Sequence, residues 1–180
     1  MNEFETERHQ SGENQTCQST PDKRELNENM KKALEEAFKG MESGQGGPFG
    51  AAIVRDGAII ACSHNQVLAT NDPTMHAEIA AIRAATEKLG RFDLSDCEIY
   101  STCQPCPMCL GAIFWAKIPK LYYGCNENDA AEIGFDDRFI YEAIRGGLEN
   151  QDRLKIEIIG REECLEAFQA WEEKEDKRQY

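Results

Sequence analysis

Two short motifs, thirty residues apart, constrain this chain more than anything else in it: His76-Ala77-Glu78 and Pro105-Cys106-Pro107-Met108-Cys109. One imidazole and two thiols fill three of the four positions of a tetrahedral metal site and leave one open. The spacing puts both motifs where a helix should begin. Pro73 and Thr74 lie just before His76, and Pro105 and Pro107 suit the first turn of a helix, where a missing N–H costs nothing. Cys106 and Cys109 are three residues apart, so their sulfurs share one helix face. Free N–H groups and the helix dipole at such an end favour thiolate over thiol. Any fold for this chain has to bring two helix N-termini to one point.

Hydrophobic periodicity supplies the frame. Residues Met1 to Leu26 are polar, with an isolated Phe4, and cannot bury enough apolar surface to order themselves; the expectation is a disordered tail over 1–26 and one domain over 27–180. From Asn27, Met30, Ala33, Leu34, Ala37 and Phe38 recur at helical spacing, and Gly40 with the Gly44–Pro48 run should end that helix. Phe49–Arg55 and Ala58–Cys62 flank Asp56-Gly57, a strong hairpin signal. A helix follows from His76 to near Gly90, a strand over Cys97–Thr102, a helix over Met108–Ala116 and a strand over Lys120–Gly124. Phe139–Ile144 has a helical pattern, Leu154–Ile159 alternates like a strand, and Glu162–Glu173 is a charged helix. This alternation predicts an α/β fold: a mostly parallel sheet, made mixed by its opening hairpin, with helices on both faces.

Composition narrows the partners. The 180 residues suffice for one domain with a core, and 41% are apolar. A net charge of -13 repels phosphate backbones, so nucleic acid is disfavoured as a partner. Met1 to Arg24 holds no apolar run of the kind a signal peptide needs, and no stretch approaches the ~18 apolar residues of a membrane span. The expectation is therefore a cytoplasmic protein without a membrane partner. In a reducing compartment its eight cysteines are not a disulfide framework: Cys106 and Cys109 are metal ligands, Cys103 is a small buried residue, and His9 and His64 are not ligands.

The chemistry follows from the donor set. Two thiolates and a neutral imidazole cancel the charge of one Zn2+, so this zinc acidifies water less than a three-histidine site does. A nearby base is then required, and Glu78, two residues from His76, is the candidate. It takes a proton from a water activated at the metal, passes it to a ring nitrogen and later to a leaving amine. Such a set of roles belongs to a zinc-dependent hydrolytic deaminase. A non-catalytic zinc module is the reading from another class, and a structural site has no use for Glu78.

From Asn29 onward the chain resembles the cytidine deaminase superfamily, and within it the bacterial-type guanine deaminases. The resemblance rests on Gly46–Ala51, Asn71–Thr74, His76–Glu78, Pro105–Ile113 and, more specifically, Gly134-Phe135-Asp136-Asp137 with the terminal Tyr180. It implies a three-layer α/β/α sandwich around a five-stranded mixed sheet, one zinc ion per subunit, and hydrolysis of guanine at C2 to xanthine and ammonia. It also implies a homodimer in which residues 161–180 are exchanged between subunits. By resemblance, Asn65 and Asp137 hydrogen-bond the purine, Phe49 and Trp115 line or stack on the ring, Ala77 contacts substrate, and Tyr180 helps to close the site. Two positions depart from the pattern: Gln104 stands where Glu is usual, and Met75 where a small residue is usual. Plant-type guanosine deaminases share the same stretches and are the nearest alternative. A tRNA adenosine deaminase shares the metal motifs but should be basic, to hold an RNA loop.

Overall fold

The computed structural model describes residues 26–147 and 153–179. Helix α1 (Glu28–Glu42) is followed by strands β1 (Gly50–Arg55) and β2 (Ala58–His64), then α2 (Val67–Thr70), α3 (Ala77–Leu89), β3 (Glu98–Cys103), α4 (Pro107–Trp115), β4 (Lys120–Cys125), α5 (Glu127–Glu132), α6 (Arg138–Arg145) and α7 (Arg161–Glu173). Local chemistry explains most boundaries. Asn27 caps α1 by accepting from Asn29 N–H and Met30 N–H. Asp56 and Gly57 both take positive φ, 51° and 76°, and close a tight hairpin whose twist matches its strands. Gly90 ends α3 in the left-handed conformation.

The strands form one sheet in the order β2-β1-β3-β4. β1 runs antiparallel to both β2 and β3, and β3 is parallel to β4. The sheet is thus mixed, as expected, but it is not mostly parallel: among the described strands only the β3–β4 pair is. Alternation along β1 sorts the core into two layers. Ala51 and Ile53 pack with Ile99 against α3 and α4, through Ala77, Ala81, Ala85 and Ile113. Ala52 and Val54 pack with Tyr100 against Ala33 and Met30 of α1. A Cβ at Gly50 would fall 1.9 Å from the Ala33 carbonyl oxygen, so α1 can lie this close to β1 only over a glycine.

Three further expectations are corrected. The sheet of the described residues has four strands, not five. Leu154–Ile159 forms no strand; Ile158 and Ile159 are 86% and 82% exposed. The alternation marks a segment that needs an apolar surface, and the sandwich of this chain does not supply one. Gly40 does not end α1, which continues to Glu42. It is a packing glycine instead, with the His64 ring so close that a Cβ would lie 2.5 Å from Cδ2. α2 and α5 were not expected; each is short and lacks an apolar period. Of the expected 1–26 tail, Leu26 is exposed and the rest lies outside the described residues.

Candidate active site

The two motifs meet at one end of the sandwich. His76 is the N-cap of α3 and Cys106 the N-cap of α4, both with extended backbone; Cys109 lies in the first turn of α4. His76 Nδ1 is 3.6 Å from each of the Cys106 and Cys109 sulfurs. Metal–nitrogen and metal–sulfur bonds of about 2.1 and 2.3 Å at a tetrahedral angle place N and S about 3.6 Å apart, so the three donors have the spacing of a zinc site. Charge agrees with distance. Contact with Cys109 and His76 pulls the Cys106 thiol down to about 4, while contact with the Cys106 thiolate and burial push Cys109 up. Two adjacent sulfurs, Cys109 buried and Cys106 half-buried, ionise together only beside a cation, and a divalent metal would provide it. Contact with Cys106 in turn raises His76.

Glu78 stands in the first turn of α3, 5% exposed and outside the ligand set. Burial pushes its carboxyl above the ordinary range. Its Oε1 accepts from Ser101 Oγ at 3.0 Å. Ser101 is itself buried on β3, opposite Ala51 of β1. Sequence reasoning missed Ser101; its place on the same strand face as Ile99 was the available signal.

A cavity of about 590 Å³ opens in front of these groups, within the range of small-molecule sites. Phe49, Asn65, His76, Glu78, Cys106 and Asp137 all line it. Asn65 is 5% exposed, and its Oδ1 accepts from Val67 N–H at 3.2 Å. With that oxygen held by the backbone, the amide Nδ2 is the group left for a ligand. Asp137 is not a helix cap, although it occupies the N-cap position of α6; Asp136 accepts from Arg138 N–H instead. Asp137 Oδ1 is buried with no hydrogen-bond partner among the described residues. Burial, then the charge of Cys106, raises its carboxyl. Phe49 meets Phe135 edge to face, ring centroids 4.9 Å apart. Phe135 lines the cavity too, in the Gly-Phe-Asp-Asp stretch, and it was not singled out from sequence. Ala77 is fully buried in the core as the first residue of α3, so only its main chain could serve a ligand.

Other expected residues fall elsewhere. Trp115 is not brought to this cavity: it lies at the end of α4, 66% exposed, lining a second cavity with Ile82 and Phe92. Tyr180 lies outside the described residues. Cys103 is buried beside the site, and burial pushes its thiol up to about 11. Gln104 lines the cavity and donates to Glu127 Oε2 at 3.3 Å.

A zinc site at two converging helix starts, a buried carboxylate beside it and a sheet between helical layers define the class. Over residues 23–125 the chain matches, and belongs to, the family described as the cytidine and deoxycytidylate deaminase zinc-binding region. It is a zinc-dependent hydrolytic deaminase. Among individual proteins, it is 48% identical over 151 residues to the guanine deaminase of Bacillus subtilis (strain 168), covering 84% of this chain and 96% of that one. The X-ray structure of the B. subtilis enzyme matches with a TM-score of 0.78 over the same shares of the two chains. A guanine deaminase of Nitrosomonas europaea matches at 34% identity and a TM-score of 0.58, covering 61% of this chain and 63% of that one. A tRNA-specific adenosine deaminase of Agrobacterium fabrum (strain C58 / ATCC 33970) is 45% identical over 92 residues, 51% of this chain and 60% of that protein. Among the described residues no helix is long and apolar enough to cross a membrane.

Proposed function

We propose that this protein hydrolyses guanine at C2 to xanthine and ammonia. The observation that carries the reading is the unpartnered Asp137 Oδ1 in the wall of the cavity that also holds Glu78. A buried carboxylate oxygen without a donor is costly unless a ligand supplies one. Guanine carries ring and exocyclic N–H donors along one edge and acceptors along the other. Asp137 accepts from the first, Asn65 Nδ2 donates to the second, and Phe49 and Phe135 cover ring atoms. The main-chain N–H of Ala77 is a further donor at the helix start. The similarity to B. subtilis guanine deaminase over most of both chains supports the same substrate.

His76, Cys106 and Cys109 would hold the zinc, which when bound would supply the Lewis acidity that makes a water nucleophilic. Glu78 takes the proton of that water and delivers it to the ring nitrogen beside C2 as the new C–O bond forms. It then takes the remaining proton from the new C–O–H group and transfers it to the exocyclic nitrogen, as the C–N bond breaks, the C=O forms and ammonia leaves. Burial gives Glu78 the raised pKa that a group accepting and returning a proton near neutrality needs. We further propose a cytoplasmic homodimer in which the C-terminal segment crosses to the partner and closes its site. Exposed Ile158, Ile159, Phe168 and Trp171 support this.

The test is ammonia release by the zinc-loaded protein from guanine, guanosine, cytosine, cytidine and adenine. Turnover of guanine alone is expected. Turnover of guanosine alone would replace the substrate, and salt-sensitive binding of tRNA would move the chain to the tRNA-acting branch.

A further inference from the structure

On the α1 side of the sheet, facing away from the zinc, a buried histidine anchors a part-buried polar cluster that the chemistry does not use. His64, the last residue of β2, is 6% exposed. Its Nδ1 donates to Glu36 Oε2 at 2.7 Å, and its Nε2 lies 2.9 Å from Gln45 Oε1. Gly40 leaves room for the ring against the last turns of α1. A histidine held by both nitrogens and on one face cannot turn, so what it touches is held with it.

Those contacts lead to the cavity wall. Gln45 accepts at its carbonyl oxygen from Leu68 N–H and Ala69 N–H, at 3.0 and 3.1 Å, and so props the first turn of α2. The next residue, Gly46, lies against Asn65 so closely that a Cβ would fall 2.1 Å from Oδ1. Asn65 follows His64 in the chain, and its N–H donates to the Phe49 carbonyl at 2.9 Å. Gly46, Phe49, Asn65 and Leu68 all line the cavity. His64 does not line it.

We infer that His64 is a positioning residue: with Glu36 and Gln45 it holds the Gly46 loop and Asn65 in register, and so sets the affinity for the purine without touching it. The inference rests on the reading of Asn65 as a purine contact. Glu78, Ser101 and the zinc ligands lie on the other side of the sheet, so the chemical step is independent of the cluster.

Asparagine and glutamine separate the two ring nitrogens. His64→Asn keeps a donor near Glu36 and loses the reach to Gln45; His64→Gln keeps the reach to Gln45. Kinetics on guanine with zinc-loaded full-length protein should show KM raised about tenfold in His64→Asn and in Gln45→Ala, the ratio expected for the loss of one positioning hydrogen bond. In both, kcat should stay within about threefold of wild type, and His64→Gln should restore KM. In an Asn65→Ala background the same changes should leave KM where Asn65→Ala alone puts it. An unchanged KM in His64→Asn and Gln45→Ala overturns the inference, as does a fall in kcat at constant KM. Should His64→Asn fail to fold, Gln45→Ala and its cycle with Asn65→Ala decide alone. If Asn65→Ala by itself leaves KM unchanged, the reading of Asn65 falls first, a result distinct from failure of the positioning role.

Discussion

Glu78, which is buried, and Asp137, which is half-buried with its Oδ1 enclosed, are two acids in one cavity with opposite requirements. Glu78 has a fixed partner, Ser101, and is the proposed proton carrier; Asp137 Oδ1 has no partner among the described residues. Glu78→Gln keeps the shape and removes the base, so zinc content should be unchanged while kcat falls about 10³-fold, as measured by metal analysis and ammonia release. Ser101→Ala leaves the carboxylate free to turn; kcat should fall about tenfold with KM unchanged, because a hydrogen bond of ordinary strength is lost. The sequence already exposed Glu78, because its spacing from His76 is a pattern. It could not expose Ser101, because a residue that reaches another from a strand to a helix packed on it has no fixed distance from it along the chain. The same limit misplaced Trp115, whose helical position was legible but not the direction in which the end of α4 faces.

At the scale of elements, caps and turns were legible and close approaches were not. Asn27, Asp56-Gly57 and Gly90 act within a few residues of themselves, so their types announce them. Gly40 and Gly50 carry the same residue type for another reason, contact with a distant segment. Gly50→Ala drives a methyl into the α1 backbone and should cost about 3 kcal/mol or prevent folding, read by urea unfolding. Glu36, at the centre of α1, titrates in a way that can be measured. Burial pushes its carboxyl up, but hydrogen bonds from His64 and Lys39 outweigh it and leave the group below its ordinary value of 4.5. A lowered folded-state pKa contributes stability that is present above the unfolded value and is lost as pH falls through the folded one. The stability gap between wild type and Glu36→Gln should therefore shrink as pH is lowered from about 6 to below about 4, in urea titrations at each pH.

At the scale of the whole molecule, α7 and residues 153–160 present apolar side chains to solvent. They carry exposed Leu154, Ile158, Ile159, Phe168 and Trp171 on a chain whose sandwich is otherwise built from Glu28 to Cys125. Exchange between subunits makes a sharp prediction. A chain ending at residue 152 with Glu78 intact and a full-length Glu78→Gln chain should each be inactive. Mixed, they should regain turnover, since the tail of one closes the intact pocket of the other. Absence of recovery in verified mixed dimers would place the tail on its own chain. The zinc, the donors placed to hold it, the proposed base and the order of most elements are legible in the sequence alone, because helix starts, hairpin turns and ligand spacing are local. The tertiary structure alone decided which strands pair and in which direction, that Leu154–Ile159 stays outside the sheet, that Ser101 meets Glu78, Phe135 meets Phe49 and His64 meets Glu36 and Gln45, and that Trp115 does not line the cavity. Those facts depend on which surfaces meet across the sheet, and side chains that meet only after folding leave no spacing to be read beforehand.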